Sequence, residues 1–234
     1  EVSVSVDYDW NLQRLGGIID RRLRTAESSS IKFIDIDKDG DKDLIGANIG
    51  TNDFGQSALN VFLFQNDIFE PKRQFFGEGV SSFEIADFNK DGNEDLIVGV
   101  EENGGTRIYM LLNTFDQDEE RDDGYRDYFT EYNPFENGNL LESVYNIKFA
   151  VKDLNNDGLV DVLAAGESSK ISSEATAVVG VSSLQPFSDG QLSFSGFYLS
   201  PPKSIGDDKL SELSFISFDF GDIDNDSDFD FLIS

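Results

Sequence analysis

The sequence predicts an all-β fold made of repeated units of four antiparallel strands. Three observations predict it. A nine-residue acidic pattern recurs four times, short apolar runs rich in β-branched and aromatic residues flank every copy, and no interval sustains a 3.6-residue periodicity. The copies are Asp35-Ile-Asp-Lys-Asp-Gly-Asp-Lys-Asp43, Asp87-Phe-Asn-Lys-Asp-Gly-Asn-Glu-Asp95, Asp153-Leu-Asn-Asn-Asp-Gly-Leu-Val-Asp161 and Asp222-Ile-Asp-Asn-Asp-Ser-Asp-Phe-Asp230. Their first positions lie 52, 66 and 69 residues apart.

Taken in order, residues 1–30 are an N-terminal segment, read as the end of a preceding unit. Its best helical stretch is 10–24, with Leu12, Leu15, Ile18, Ile19 and Leu23, but Gly16-Gly17 interrupts it. The first unit, 31–81, offers strands at 31–34, 44–47, 59–64 and 68–76. The second, 82–144, offers 83–86, 96–100, 106–112 and 125–132, with an insertion at 115–143 read as extended and exposed. The third, 145–210, offers 147–151, 162–165, 176–181 and 191–199. The fourth, 211–234, is partial, with 213–218 and 231–233. Between paired runs the acidic loop makes a β-hairpin, and Gly40, Gly92 and Gly158 supply the left-handed backbone of a sharp turn. Four strands in about 50–70 residues is the size of a propeller blade. The fold class is therefore β-propeller blades, with three complete units and the start of a fourth, an incomplete or partial propeller.

Composition narrows the chemistry. The chain has 234 residues, 46 acidic and 18 basic, a net charge of −28, and neither His nor Cys. This excludes disulfides, thiolate nucleophiles, Cys-ligated metals and a Ser-His-Asp triad. The acidity disfavours nucleic acid and anionic membrane surfaces. No apolar run reaches the ~18 residues of a membrane-spanning helix. Residue 1 is Glu, which reads as a processed chain or a piece of a longer one. Of the 30 Asp, 16 lie in the four acidic loops, so the charge is concentrated rather than diffuse.

Oxygen-bearing side chains at positions 1, 3, 5 and 9, with the carbonyl of position 7, suit a hard cation that takes six to eight oxygens. The expected ligands are Asp35, Asp37, Asp39, Asp41 (carbonyl) and Asp43; Asp87, Asn89, Asp91, Asn93 (carbonyl) and Asp95; Asp153, Asn155, Asp157, Leu159 (carbonyl) and Asp161; and Asp222, Asp224, Asp226, Asp228 (carbonyl) and Asp230. The expected ion is Ca2+, up to four per chain. Magnesium fits less well, because it keeps its waters and demands a compact octahedron. The alternative of plain solvated turns weakens with each recurrence of the motif. An EF-hand would need a Glu at position 12, where this chain has Gly46, Val98, Ala164 and Ile233, and flanking helices, where it has strand patterns. Ser227 replaces Gly in the fourth loop, which predicts weaker binding there.

The unit of apolar strand, D-x-[DN]-x-D-G-x-x-D loop and Leu-Ile-x-Gly-like strand resembles the FG-GAP/VCBS repeat, the calcium-binding blade of integrin alpha-subunit propellers and of many bacterial secreted proteins. Residues 84–99 carry the closest match, with Phe76-Gly77 ahead of them. The resemblance spans roughly residues 30–234. It implies a propeller with calcium hairpins on one rim and ligand contacts on the opposite face, here residues 48–57, 77–82, 101–105, 166–174 and 200–209. It also implies an incomplete ring, completed by further polypeptide.

Two functions follow as expectations. The first is a non-catalytic, calcium-stabilised adhesion, binding or assembly module for a protein or glycan ligand, extracellular, secreted or at the cell surface. The second is a propeller-based polysaccharide lyase or glycosidase, whose candidates are Tyr125, Arg126, Tyr128, Glu131 and Tyr132. The missing catalytic motifs favour the first.

Overall fold

The computed structural model describes residues 29–48, 59–75, 79–102, 104–115, 128–132, 140–153, 157–168, 176–182, 184–186, 192–194, 218–221 and 230–233. Among them the structure is all-β, every strand pairing is antiparallel and no residue is helical. The helical stretch weighed at 10–24 lies outside the described residues. The chain divides into two compact units, Glu1–Val80 and Ser81–Ser234.

The first unit holds one sheet of consecutive strands, β1 (Ser29–Ile34), β2 (Asp43–Asn48), β3 (Leu59–Gln65) and β4 (Ile68–Phe75), in that spatial order. β1, β2 and β3 each fall on an apolar run of the sequence, and β4 on the largely polar stretch expected at 68–76. Ile34, Ile45, Leu59, Val61, Phe62 and Leu63 are almost wholly buried. At about 1.5–3 kcal/mol per fully buried aliphatic or aromatic side chain, they carry much of the unit's stability. Asn66 and Asp67 join β3 to β4 with φ of 52° and 62°. Two consecutive left-handed residues make the tight hairpin turn whose twist matches the strands, and Asn and Asp tolerate that backbone best after Gly.

In the second unit, β5 (Val80–Ala86), β6 (Asp95–Glu102) and β7 (Gly105–Asn113) follow the same meander. The fourth position is shared by two short strands. β8 (Phe129–Tyr132) pairs with the end of β7, and β9 (Leu140–Glu142) pairs with its start. Two parts of the 115–143 stretch are thus sheet, and Phe129 is buried, because β7 is nine residues long and offers an edge that both pieces can satisfy. The third repeat is β10 (Val144–Lys152), β11 (Asp161–Ser168) and β12 (Thr176–Ser182). Its expected fourth strand at 191–199 corresponds to β14 (Leu192–Phe194), which pairs with β13 (Leu184–Pro186) instead of β12. β15 (Phe218–Gly221) and β16 (Asp230–Ile233) form the fourth hairpin.

The second and third repeats share a core. Phe88, Ile97, Ile108 and Met110 pack with Ile147, Phe149, Val162 and Ala164. Gly99 permits this approach, since a Cβ there would lie 2.6 Å from the Cγ2 of Ile147 and 3.1 Å from the Cε2 of Phe149. The contact is also hydrogen-bonded: the buried Thr106 hydroxyl donates to the Val144 carbonyl at 2.8 Å.

Candidate metal centre

Strand register fixes the four acidic loops in equivalent places. Ile34 pairs with Asp43, Lys152 with Asp161 and Gly221 with Asp230. The loops at 35–42, 87–94, 153–160 and 222–229 are therefore of equal length, each entering β2, β6, β11 or β16 at its ninth-position Asp. The strands on either side remove the helix–loop–helix alternative.

Two backbone features shape the turn. Gly40, Gly92 and Gly158 have φ of 93°, 84° and 82°, as position 6 of the motif requires. Lys38 and Lys90, at position 4, are also left-handed, at 57° and 60°. A non-Gly residue in that region costs about 1–2 kcal/mol. The loop offsets this cost by turning several N–H groups toward its carboxylates. Asp91 N and Gly92 N donate to the two oxygens of Asp87 at 3.1 and 3.0 Å, and Asn93 N donates to Asp91 Oδ1 at 2.7 Å. The third loop repeats this: Asp157 N and Gly158 N donate to the two oxygens of Asp153 at 3.1 and 2.8 Å, and Leu159 N donates to Asp157 Oδ1 at 2.8 Å.

The ninth-position Asp has a distinct place. Asp43, Asp95 and Asp161 are 1%, 0% and 1% exposed. Asp43 Oδ2 accepts from Ile36 N and Oδ1 from Phe64 N, both at 2.8 Å. Asp95 accepts from Phe88 N at 3.0 Å and from Asn113 N at 2.8 Å in the same way. Asp43 and Asp95 thus clamp the start of their loops to the third strand of their sheets, whereas the Oδ1 of Asp161 is buried with no hydrogen-bond partner. Burial pushes the Asp95 carboxyl up to about 7, against the lowering effect of the Asn113 and Phe88 N–H bonds. Burial likewise pushes Asp43 up to about 6, against the bonds from Phe64 and Ile36. The motif gave no sign of this clamp. The available signal was an Asp followed directly by buried apolar residues, Leu44-Ile45 and Leu96-Ile97.

The first loop alone among the described residues brings three carboxylates to one point. Ligand oxygens of Asp35, Asp37 and Asp39 lie within 4.8 Å of one another. Asp37 is raised by burial and then by the charges of Asp39 and Asp35, with Gln65, at the end of β3, donating to it from its side chain. Asp41 N donates to Asp39 Oδ1 at 2.9 Å, while Asp39 N stands a long 3.4 Å from Asp37 Oδ1. Asp35 Oδ1 is buried and has no hydrogen-bond partner. A buried carboxylate oxygen without a donor is costly, and a cation at the centre of the three groups removes that cost. At about 4 Å each carboxylate pair repels by roughly 1 kcal/mol in water and 4 kcal/mol at an effective dielectric of 20. The three hard oxygen donors therefore fit a metal ion. Asn155, Asp222, Asp224, Asp226 and Asp228 lie outside the described residues, and Asp230 is described through its strand backbone.

Residues 35–98 match the family model of the FG-GAP-like repeat. This stretch is similar to an FG-GAP-like repeat. The match runs from the first residue of the first acidic loop to three residues beyond Asp95, so it takes in the Asp43 clamp and the Asp35–Asp37–Asp39 cluster, while the Asp95 clamp reaches past it to Asn113. No curated protein matches the chain. No helix among the described residues is long and apolar enough to cross a membrane.

Proposed function

We propose that the chain is a calcium-stabilised, non-catalytic binding or assembly module. It takes up to four Ca2+ in its hairpin loops and meets a protein or glycan ligand, or further polypeptide that completes a propeller, through other loops. The observation that carries the metal is the convergence of Asp35, Asp37 and Asp39 around a buried, partnerless carboxylate oxygen. Calcium rather than magnesium suits it, because calcium takes several carboxylate and carbonyl oxygens directly, whereas magnesium keeps its waters. The similarity to the FG-GAP-like repeat supports an extracellular, secreted or cell-surface location.

The enzymatic alternative has less support. Glu131 is exposed and Tyr132 packs on the apolar core, so these neighbours on β8 point to opposite sides. Tyr128 stacks on Phe115 with ring centroids 5.9 Å apart.

Thermal melts in excess chelator, in calcium and in magnesium test the reading. A ligand held only by the folded state at 100 times its Kd adds about 2.7 kcal/mol. The melting temperature should rise with calcium, and more than with magnesium. An identical melting temperature in chelator and in calcium would falsify the calcium role.

A further inference from the structure

The first sheet leaves the β1 edge of one face open. Ile31 and Phe33, two residues apart on β1 and so on the same side, are 45% and 59% exposed. Their equivalents in the later repeats, by alignment of the acidic loops, are Phe83 and Ile85 and then Phe149 and Val151. Phe83 is 1% exposed and Phe149 5%. Phe149 is covered by the repeat immediately before it in the chain, through Ile97, Ile108 and Met110. On the first sheet itself, Leu44 and Phe62 share the side of Phe33 through the strand register and are buried, so the open part is the β1 edge.

What precedes β1 is a segment with strand patterning. Residues 2–10 alternate without a break: Val2, Val4, Val6, Tyr8 and Trp10 on one side, Ser3, Ser5, Asp7 and Asp9 on the other. A segment with this pattern calls for an apolar surface to lie on. At about 3.3 Å per residue its nine residues span about 30 Å, more than the six of β1. The 18 residues between Trp10 and Ser29 reach up to about 60 Å, so the chain can return over its own sheet.

We propose that residues 2–10 are the cover of this face, with Val2, Val4, Val6, Tyr8 and Trp10 packed on Ile31 and Phe33. The assignment is independent of the calcium reading. Trp10 is the chain's one tryptophan, so its fluorescence reports the contact directly. In the full chain its emission is expected to be blue-shifted and protected from acrylamide. Phe33→Asp on the sheet and Val4→Asp in the segment should each shift it to the red and raise its quenching severalfold, with the strand signature in circular dichroism retained. If Phe33→Asp disturbs the sheet, Val4→Asp still reads the contact from outside it. Solvent-like Trp10 emission in the unaltered chain overturns the proposal. So does buried emission that neither substitution moves. A dimer, seen by sedimentation, that Phe33→Asp dissolves while Trp10 stays unchanged makes a second copy the occupant and also overturns it.

Discussion

In excess chelator this protein should become less stable as pH rises, and Asp95 sets the size of the effect in the second unit. Its carboxyl goes from about 3.8 unfolded to about 7 folded, because burial outweighs the N–H bonds from Asn113 and Phe88. A carboxyl raised on folding holds its proton more tightly in the native state. Its stabilising contribution is complete below about pH 3.8 and is lost as pH rises through about 7. At about 1.4 kcal/mol per pH unit, that span removes roughly 4 kcal/mol from the second unit. Asp43, raised to about 6, acts in the same direction and more weakly in the first. The Asp95 share is large against the ~5–15 kcal/mol of a typical domain. Urea unfolding in excess chelator, followed by circular dichroism at pH 5 and pH 8, reads the part of the loss above pH 5, roughly 3 kcal/mol for Asp95. Asp95→Asn cannot ionise and keeps one acceptor oxygen, so its pH dependence should flatten by most of the Asp95 share. In saturating calcium the unaltered chain should recover stability at pH 8, where the ionised carboxylate meets a cation. Metal-free stability that is level or rising between pH 5 and 8, or an Asp95→Asn variant with the original slope, refutes the reasoning.

Two further results are expected. Asp37→Ala should weaken calcium binding at the first loop by tenfold or more in titration calorimetry while changing stability in chelator by less than about 1 kcal/mol, because the side chain is only partly buried and loses chiefly charge repulsion. Gly92→Ala and Gly99→Ala should differ in cause and size. A Cβ at residue 92 meets nothing within 4 Å, so its left-handed backbone alone sets a cost of about 1 kcal/mol, whereas at residue 99 the close approach of Ile147 and Phe149 adds overpacking of about 1–3 kcal/mol; denaturation midpoints distinguish them.

The strands and acidic loops were legible because their signals are local. Alternation, β-branching and the D-x-D-x-D-G spacing each act within about ten residues. What escaped was non-local. The Asp43 clamp reaches 21 residues on to Phe64, and the Asp95 clamp 18 residues on to Asn113. Loop spacing contains neither partner. The left-handed Lys38 and Lys90 escaped because Lys has no preference for that backbone, which the surrounding hydrogen bonds impose. The shared fourth position of β8 and β9 depends on the length of β7, which the run 106–112 understated at both ends. The β13–β14 pairing escaped because three-residue strands carry almost no periodicity.

The clamp also gives the loop a direction in time. During synthesis the first acidic loop leaves the ribosome ahead of β3. Its ninth carboxylate then has the nearby Ile36 N–H as a partner, but the Phe64 N–H has not yet emerged. The loop is therefore finished vectorially, by a strand made after it, and a nascent chain halted between Asn48 and Leu59 would carry a hairpin whose acidic loop is still half anchored.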